Sequence, residues 1–555
     1  GKTGGVSADV DGNFTIKAAI GEKLQISFIG YATKVVDVKD NKFLTIAMEP
    51  DSKALEEVVV VGYGQQKKAS VVGAISVVST KELKQSPTAN VTNALAGKLP
   101  GLVTVQTTGE PGADNSDLYI RGISTFTGSQ KPLILVDGIE RDFKYMSVQE
   151  IESISILKDA SATAVYGVRG ANGVVLVTTK RGQEGKPHVT LNADFGFQSP
   201  TRMFDMVNSY EMAVLSNEYH VNNGNNPIFS QEELNAYRYG TDPYHYPNIN
   251  WADELIKNTA PQQQYNLTIS GGNQTAKYFV MVGMLNQRGL YKFENYNADF
   301  NTNISYQKYN FRTNADFKIS PFLSAKVNLA GVLGMKHQPK ESAETVFDRI
   351  RVANPNRAPI KNPDGTWSTR EKTSFNPVAE ILDGGYSDQK ETAITATVGM
   401  KADFSKILKG LSANIDFSFD FNNTFEQRRT RSNDFFQFNE DGTYTRLYEG
   451  SKLGYGWGLN VYETRYNFEP SISYANTFND IHEITGLLLY NQSERLIKDD
   501  NSLKRLPYRR MGIVGRVTYG FKSKYFAEFN AGYNGSENFA PGNRFGFFPA
   551  GSVGY

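Results

Sequence analysis

Cysteine is absent from the 555 residues, so the chain can build neither a disulfide framework nor a thiolate metal site. Charge of one sign is not in excess. Lys and Arg number 59 against 58 Asp and Glu, and no long basic run occurs, which removes the electrostatic footprint of a nucleic-acid binder. Long apolar runs are missing too. "VVVV", "GVVLV" and "GLLLY" are the extent of them, far short of the roughly 18 residues a membrane helix needs. Histidine is scarce, and the five copies, at 188, 220, 245, 337 and 482, share no zinc spacing. "HEITG" at His482 lacks the second histidine of a zincin. Neither a serine elbow, a P-loop nor a dinucleotide fingerprint is present, and "GYGQQK" lacks the third glycine and the helix. The sequence therefore offers no catalytic residue, no metal site and no cofactor site, and it reads as a non-enzyme. The chain opens on "GKTGG" without a methionine, so the lack of a visible signal peptide excludes nothing.

What is plentiful is Tyr (30), Phe (34) and Gly (50). Aromatics and glycine without helix-period apolarity point to an all-β protein with many turns. Residues 1–50 hold short alternating stretches, "NFTIKA", "EKLQISFIG", "ATKVVDV" and "FLTIAM", the pattern of a partial β-sandwich. "DVDGN" at Asp9 to Asn13 lacks the distant glutamate of a calcium loop and reads as a hairpin turn. Residues 51–68 form a linker around "LEEVVVVGYG". Residues 69–184 carry buried-looking strands, "DLYIRGI", "PLILVDGI", "IESISILK" and "NGVVLVTTK", with a short helix before the last. Asp159 or Ser161 is placed to cap that helix and Gly167 to end it. This is a compact α+β domain.

From 185 to 555 the pattern is different. "HVTLNADFGFQ" alternates strictly and is the first of eleven segments of this kind, the last at 524–535. Short turns such as "ISPF", "NDI" and "KSK" alternate with long polar stretches. That rhythm predicts a transmembrane antiparallel β-barrel with tight turns at one end and long loops at the other. The rival, a propeller or solenoid, would show a fixed repeat length. Eleven is odd, whereas single-chain barrels close on an even number. The closing "NFAPGNRFGFFPAGSVGY" reads as a loop-to-strand transition, so the sequence looks cut. Aromatics in the long stretches, Tyr237, Tyr239, Tyr244, Tyr246, Trp251 and Trp367, suit either sugar stacking or an interfacial belt, and the belt is the expectation.

"LAGKLPGLVTVQTTGEPGADNSDLYIRGISTF", "PLILVDGI" and "IESISILKDASATAVYGVRGANGVVLVTTKRG" closely resemble the plug of TonB-dependent outer-membrane transporters, in detail the SusC/RagA branch of Bacteroidetes. "DVDGNFTIKAAIGEKLQISFIGYATKVVDV" resembles the tail of the carboxypeptidase-D-regulatory-like domain preceding that plug, and "SENFAPGNRFGFFPAGSVGY" a mid-barrel segment. The resemblance implies a plug inside a 22-stranded barrel, about half of whose strands lie in this chain. It implies active import of an oligosaccharide or oligopeptide too large for porins, in an outer membrane lipid bilayer. The implied partners are TonB, with ExbB/ExbD as its energy source, and a SusD-like surface lipoprotein. A signalling receptor and a passive porin remain as alternatives.

The same resemblance assigns roles to residues. Glu57, Val58, Val59, Val60 and Val61 resemble the TonB box, a peptide that adds a strand to its partner, although Val58–Val61 also read as an ordinary strand. Arg121 and Arg169 are expected to make plug–barrel ion pairs, with local capping as the alternative. Gly122, Asp137, Gly138, Gly167, Gly170 and Gly173 are expected at tight turns and close backbone approaches. The sequence names no substrate-binding residue.

Overall fold

A strand alternating apolar and polar side chains has one face for lipid or core and one for a wet interior, and this chain repeats that device along most of its length. The computed structural model describes residues 6, 8, 12–28, 31–40, 43–48, 58–61, 64–67, 73–123, 130–203, 205–292, 300–370, 376–498 and 505–555. They fall into two compact units, Gly1–Val72 and Gly73–Tyr555.

In the first unit, Lys23–Phe28 pairs antiparallel with Tyr31–Asp37, and the Lys34 ammonium donates to the Ala47 carbonyl at 2.7 Å. A second hairpin joins Val58–Val61 to Gly64–Lys67, with Val61 opposite Gly64. Glu57 lies outside the described residues.

The second unit begins with the α+β domain. Its central sheet has five strands in the order Ile75–Ser79, Ile151–Leu157, Val174–Thr179, Leu133–Val136, Ile139–Glu140. Only the Val174–Leu133 pairing is parallel. A separate hairpin joins Leu102–Gln106 to Ser116–Ile120. The apolar faces close over one core that includes Leu83, Leu95, Phe143, Ile151, Ile154 and Ile156, all essentially without solvent contact. Burying each such side chain contributes about 1.5–3 kcal/mol.

Twelve strands follow, not eleven, in a single antiparallel sheet. They are β1 Gly185–Gln198, β2 Ala260–Gly272, β3 Ala276–Arg288, β4 Ser305–Lys318, β5 Leu323–Pro339, β6 Gly385–Asp403, β7 Leu411–Thr430, β8 Gly454–Phe478, β9 His482–Lys498, β10 Tyr508–Phe521, β11 Tyr525–Ser536 and β12 Phe545–Gly554. Every strand pairs with its neighbours in sequence order, and β1 and β12 do not pair with each other among the described residues. The uncounted strand is β12. Its Pro549 and three glycines read as loop, yet the segment pairs with β11 along its length, Pro549 standing opposite Ala531. The alternation of connections holds: 273–275, 319–322, 404–410, 479–481 and 522–524 are short, whereas 199–259, 289–304, 340–384, 431–453, 499–507 and 537–544 are the longer ones. No helix among the described residues is long and apolar enough to cross a membrane; crossing is by strands.

The two faces of the sheet differ as a membrane wall requires. On β4, Tyr309 and Phe311 are exposed while Lys308, Asn310, Arg312 and Asn314 are buried. The apolar side chains thus face outward and the polar ones inward, against the α+β domain.

The long connections build a second core. Helices Ser209–Asn222, Gln231–Tyr239, Trp251–Leu255, Ala343–Val352 and Pro377–Asp383 lie in them, with a small hairpin, Phe435–Phe438 and Tyr444–Tyr448. Trp251, Leu255, Ile350, Trp367, Ile381 and Phe435 share one apolar cluster. The expected aromatic belt is therefore not what the two tryptophans form. Trp251 donates from its indole N–H to the Asn354 carbonyl at 3.2 Å and Trp367 to Asp383 at 3.1 Å, each satisfying its one polar group inside the loop core. Tyr237 is buried, while Tyr239 and Tyr244 are exposed.

Candidate functional site

The site is the seam between the α+β domain and the inner wall of the sheet. It is built largely from polar pairs, beside a small apolar contact of Ala89 with Leu285 and Tyr306. Asp137 and Gly138 both have positive φ, 50° and 90°, the two-residue Asp-Gly turn that suits a hairpin. That turn carries the chain from Leu133–Val136 into Ile139–Glu140 and so delivers Glu140 and Arg141 to the wall. The Arg141 guanidinium donates to both carboxylate oxygens of Asp420 on β7, at 2.6–3.0 Å, and to the Thr397 hydroxyl at 3.0 Å. Both partners of this pair are more than nine-tenths buried.

Further along, Ser147 starts a short 3₁₀ turn, Val148–Glu150, through a capping box in which the Glu150 carboxylate accepts the Ser147 N–H at 2.8 Å. The same carboxylate accepts Arg312 at 2.7 Å and Asn310 at 2.5 Å, both from β4. A residue that caps a local turn thus also bolts the domain to the wall. Asn314 donates to Thr179 and to the Lys180 carbonyl, and Arg181 pairs with Asp316 at 2.6 Å. Lys308 donates to the Tyr145 carbonyl at 3.2 Å. Lys336 on β5 meets Glu110 at 2.6 Å. Two glycines let backbone approach the wall. A Cβ on Gly112 would lie 2.6 Å from the Tyr306 ring, and one on Gly167 would lie 2.7 Å from Asn534 Nδ2.

The residues anticipated for this seam are placed as follows. Arg121 donates to Asp159 at 2.6 Å, within the α+β domain. Arg169 pairs with Glu140 in the same domain, and Arg465 and Arg510 of the wall approach that glutamate, to 3.6 and 3.5 Å. Asp159, expected as a helix cap, ties together two other segments of the domain. Its carboxylate accepts the Ala74 N–H at 2.7 Å and the Arg121 guanidinium, and the Ala74 hydrogen bond, with Arg121 beside it, holds its pKa below the ordinary carboxylate range. Gly122, Gly138, Gly167 and Gly173 have positive φ. Gly167 combines φ 57° with ψ −142°, which breaks the helical run rather than ending it in the left-handed turn expected. Gly170 packs against Thr163. Asp137 does more than turn the chain, since its carboxylate accepts the Thr179 N–H and hydroxyl. Sequence reasoning missed Glu110, Arg141, Glu150 and Arg181 on the domain side. Their one available signal was charge at the ends of apolar stretches, as in "GIERDF" and "VQEIES".

Among the described residues no cluster of His, Asp or Glu is able to hold a metal ion.

A folded domain lodged by polar pairs against the wet face of a membrane-type sheet defines a plugged outer-membrane β-barrel. Similar proteins agree with this. The model for the TonB-dependent Receptor Plug Domain matches residues 67–174, and that for the CarboxypepD_reg-like domain matches 1–60. TonB-dependent receptor P26 of Formosa agariphila is 29% identical over 99% of this chain and 55% of its own length. TonB-dependent receptor SusC of Bacteroides thetaiotaomicron is 26% identical over the whole chain and 56% of its own length. The chain thus spans about half the length of the curated relatives it matches. Among solved structures, the RagAB peptide importer in its open-open state superposes with a TM-score of 0.67 at 22% identity, over 90% of this chain and 58% of that one. The siderophore receptor PirA of Acinetobacter baumannii superposes at 0.51 with 11% identity, over 89% and 60%. The chain is thus similar along its whole length to TonB-dependent receptors of SusC/RagA type, proteins of the Bacteroidetes outer membrane.

Proposed function

We propose that the protein containing this chain imports a large nutrient, an oligosaccharide or oligopeptide, across the outer membrane, driven through TonB and assisted by a SusD-like surface lipoprotein. The observation that carries this reading is the character of the plug seam. An apolar interface of this extent would seal the lumen for good. Polar pairs exchange for water one at a time, so a modest pull can open them in sequence. The pull needs a handle, and Val58–Val61 supplies the means. The segment is strand-forming, and its hairpin leaves one edge without a strand partner among the described residues, where an added strand gains main-chain hydrogen bonds. The structurally similar RagAB is a peptide importer, which supports cargo of this class. A passive porin would have no use for a plug.

Deleting Glu57–Val61 in the full-length receptor tests this reading. Uptake should collapse while ligand capture at the cell surface persists; undiminished uptake rejects energised import.

A further inference from the structure

Two cavities lie along the plug seam, one above the other. The upper, about 210 Å³, is lined by Asp114 and Tyr145 of the plug and by Gln287, Tyr306, Lys336 and Gln389 of the wall, among others. These wall residues sit close to the long-loop ends of β3, β4, β5 and β6. The lower, about 310 Å³, is lined by Arg141 and Glu150 of the plug and by Arg312, Thr395, Asp420 and Glu463 of the wall. On β6, Gln389 lines the upper chamber and Thr395 the lower, a descent of roughly 20 Å along the strand at about 3.3 Å per residue. The upper chamber is walled mainly by polar groups, and the lower mixes charged residues with Val136, Met146, Phe311 and Val332. Gln287 Oε1, buried in the upper one, has no hydrogen-bond partner among the described residues, as in a space that holds water.

Three residues line both chambers: Lys144, Tyr145 and Glu391. They form the neck between them. The Lys144 ammonium stands over the Tyr145 ring, 4.7 Å from its centre, and the phenol lies against Glu391 on β6. The Tyr145 backbone, by contrast, is tied to the wall through Lys308. A gate here needs only the side chain to move, leaving the Lys308 contact to the main chain in place.

We propose that these stacked chambers are a hydrated solute route along the plug seam and that Tyr145 is its gate. The proposal rests on the import reading for its purpose but not for its test. Solute of mixed polarity, offering hydroxyl, amide or charged groups of either sign, matches the lining. The swing of one aromatic side chain joins the chambers for water and small solutes with the Arg141–Asp420 and Glu150–Arg312 bolts in place; a cargo of the size proposed above still requires those bolts to part.

The chain has no cysteine, so single cysteines placed in the full-length receptor, in a background with no other, report access directly. On intact cells, a membrane-impermeant thiol reagent should label Gln389→Cys fast, and Thr395→Cys slowly. Tyr145→Ala should speed labelling of Thr395→Cys several-fold, and Tyr145→Phe, which keeps the ring, should not. Glu391→Ala widens the neck from the wall side, leaves the plug sequence intact, and should also speed it. Thr395→Cys labelling indifferent to both Tyr145→Ala and Glu391→Ala, or Gln389→Cys that fails to label, overturns the proposal. Neither result depends on TonB, so the import reading stands or falls separately on the deletion of Glu57–Val61.

Discussion

At the scale of single residues, the seam is decided by whether a charge keeps its partner in a place water cannot reach. Arg141 and Asp420 are both nearly inaccessible. Removing one leaves the other buried alone, which costs about 3–5 kcal/mol, whereas replacing both with apolar residues of similar volume is often close to neutral. Arg141→Ala should therefore loosen the plug segment around 139–142, seen as faster amide exchange there, and Arg141→Met with Asp420→Leu should recover most of the protection. Asp159 poses the opposite case, a more accessible carboxylate holding the first residues of the plug through Ala74 and Arg121. Its pKa is lowered in the fold, so its contribution is fully present above the unfolded value near 3.9 and is lost as pH falls through the folded value. Asp159→Asn at neutral pH should expose 74–79 to exchange, and the native protein should show the same exposure only in strong acid. Protection at 74–79 unchanged in Asp159→Asn would mean that other contacts hold this entrance.

At the scale of elements, the strands were written plainly in the sequence and the loops were not. A strand between lipid and lumen must alternate, so Val189, Leu191, Phe195 and Phe197 stand exposed on one face and appear as a period of two. The strand ends were harder. β4 begins at Ser305, but its outward positions 305 and 307 are Ser and Gln, so the apolar half of the alternation starts only at Tyr309. The loop aromatics were misread for a different reason. A tryptophan in a lipid belt and one in a small core have the same neighbours in sequence, and only packing separates them. Trp251→Ala should remove about 3–5 kcal/mol from the loop core. The expected readout is proteolytic cleavage within 199–259 and 340–384, with the β-sheet signal of the barrel retained.

At the scale of the whole molecule, what counts is which face of the sheet meets what. Phe417 is exposed on the outer face and its neighbour Ser418 is fully buried on the inner. Phe417→Arg should therefore cost about 2–4 kcal/mol of folding free energy in a bilayer if it lies near the midplane. Equilibrium refolding of the full-length receptor into lipid vesicles measures this, and an arginine tolerated at no cost there would place that face away from lipid.

Alone, the sequence determined the class of architecture, the barrel after a plug, and the alternation of short and long connections. These are local properties, set by side-chain period and turn chemistry, and a linear pattern is enough to carry them. The tertiary structure alone decided which charges bolt plug to wall. Glu150 lies 162 residues from Arg312 and Arg141 lies 279 from Asp420, and nothing in a chain marks two ions as partners until folding removes the water from between them.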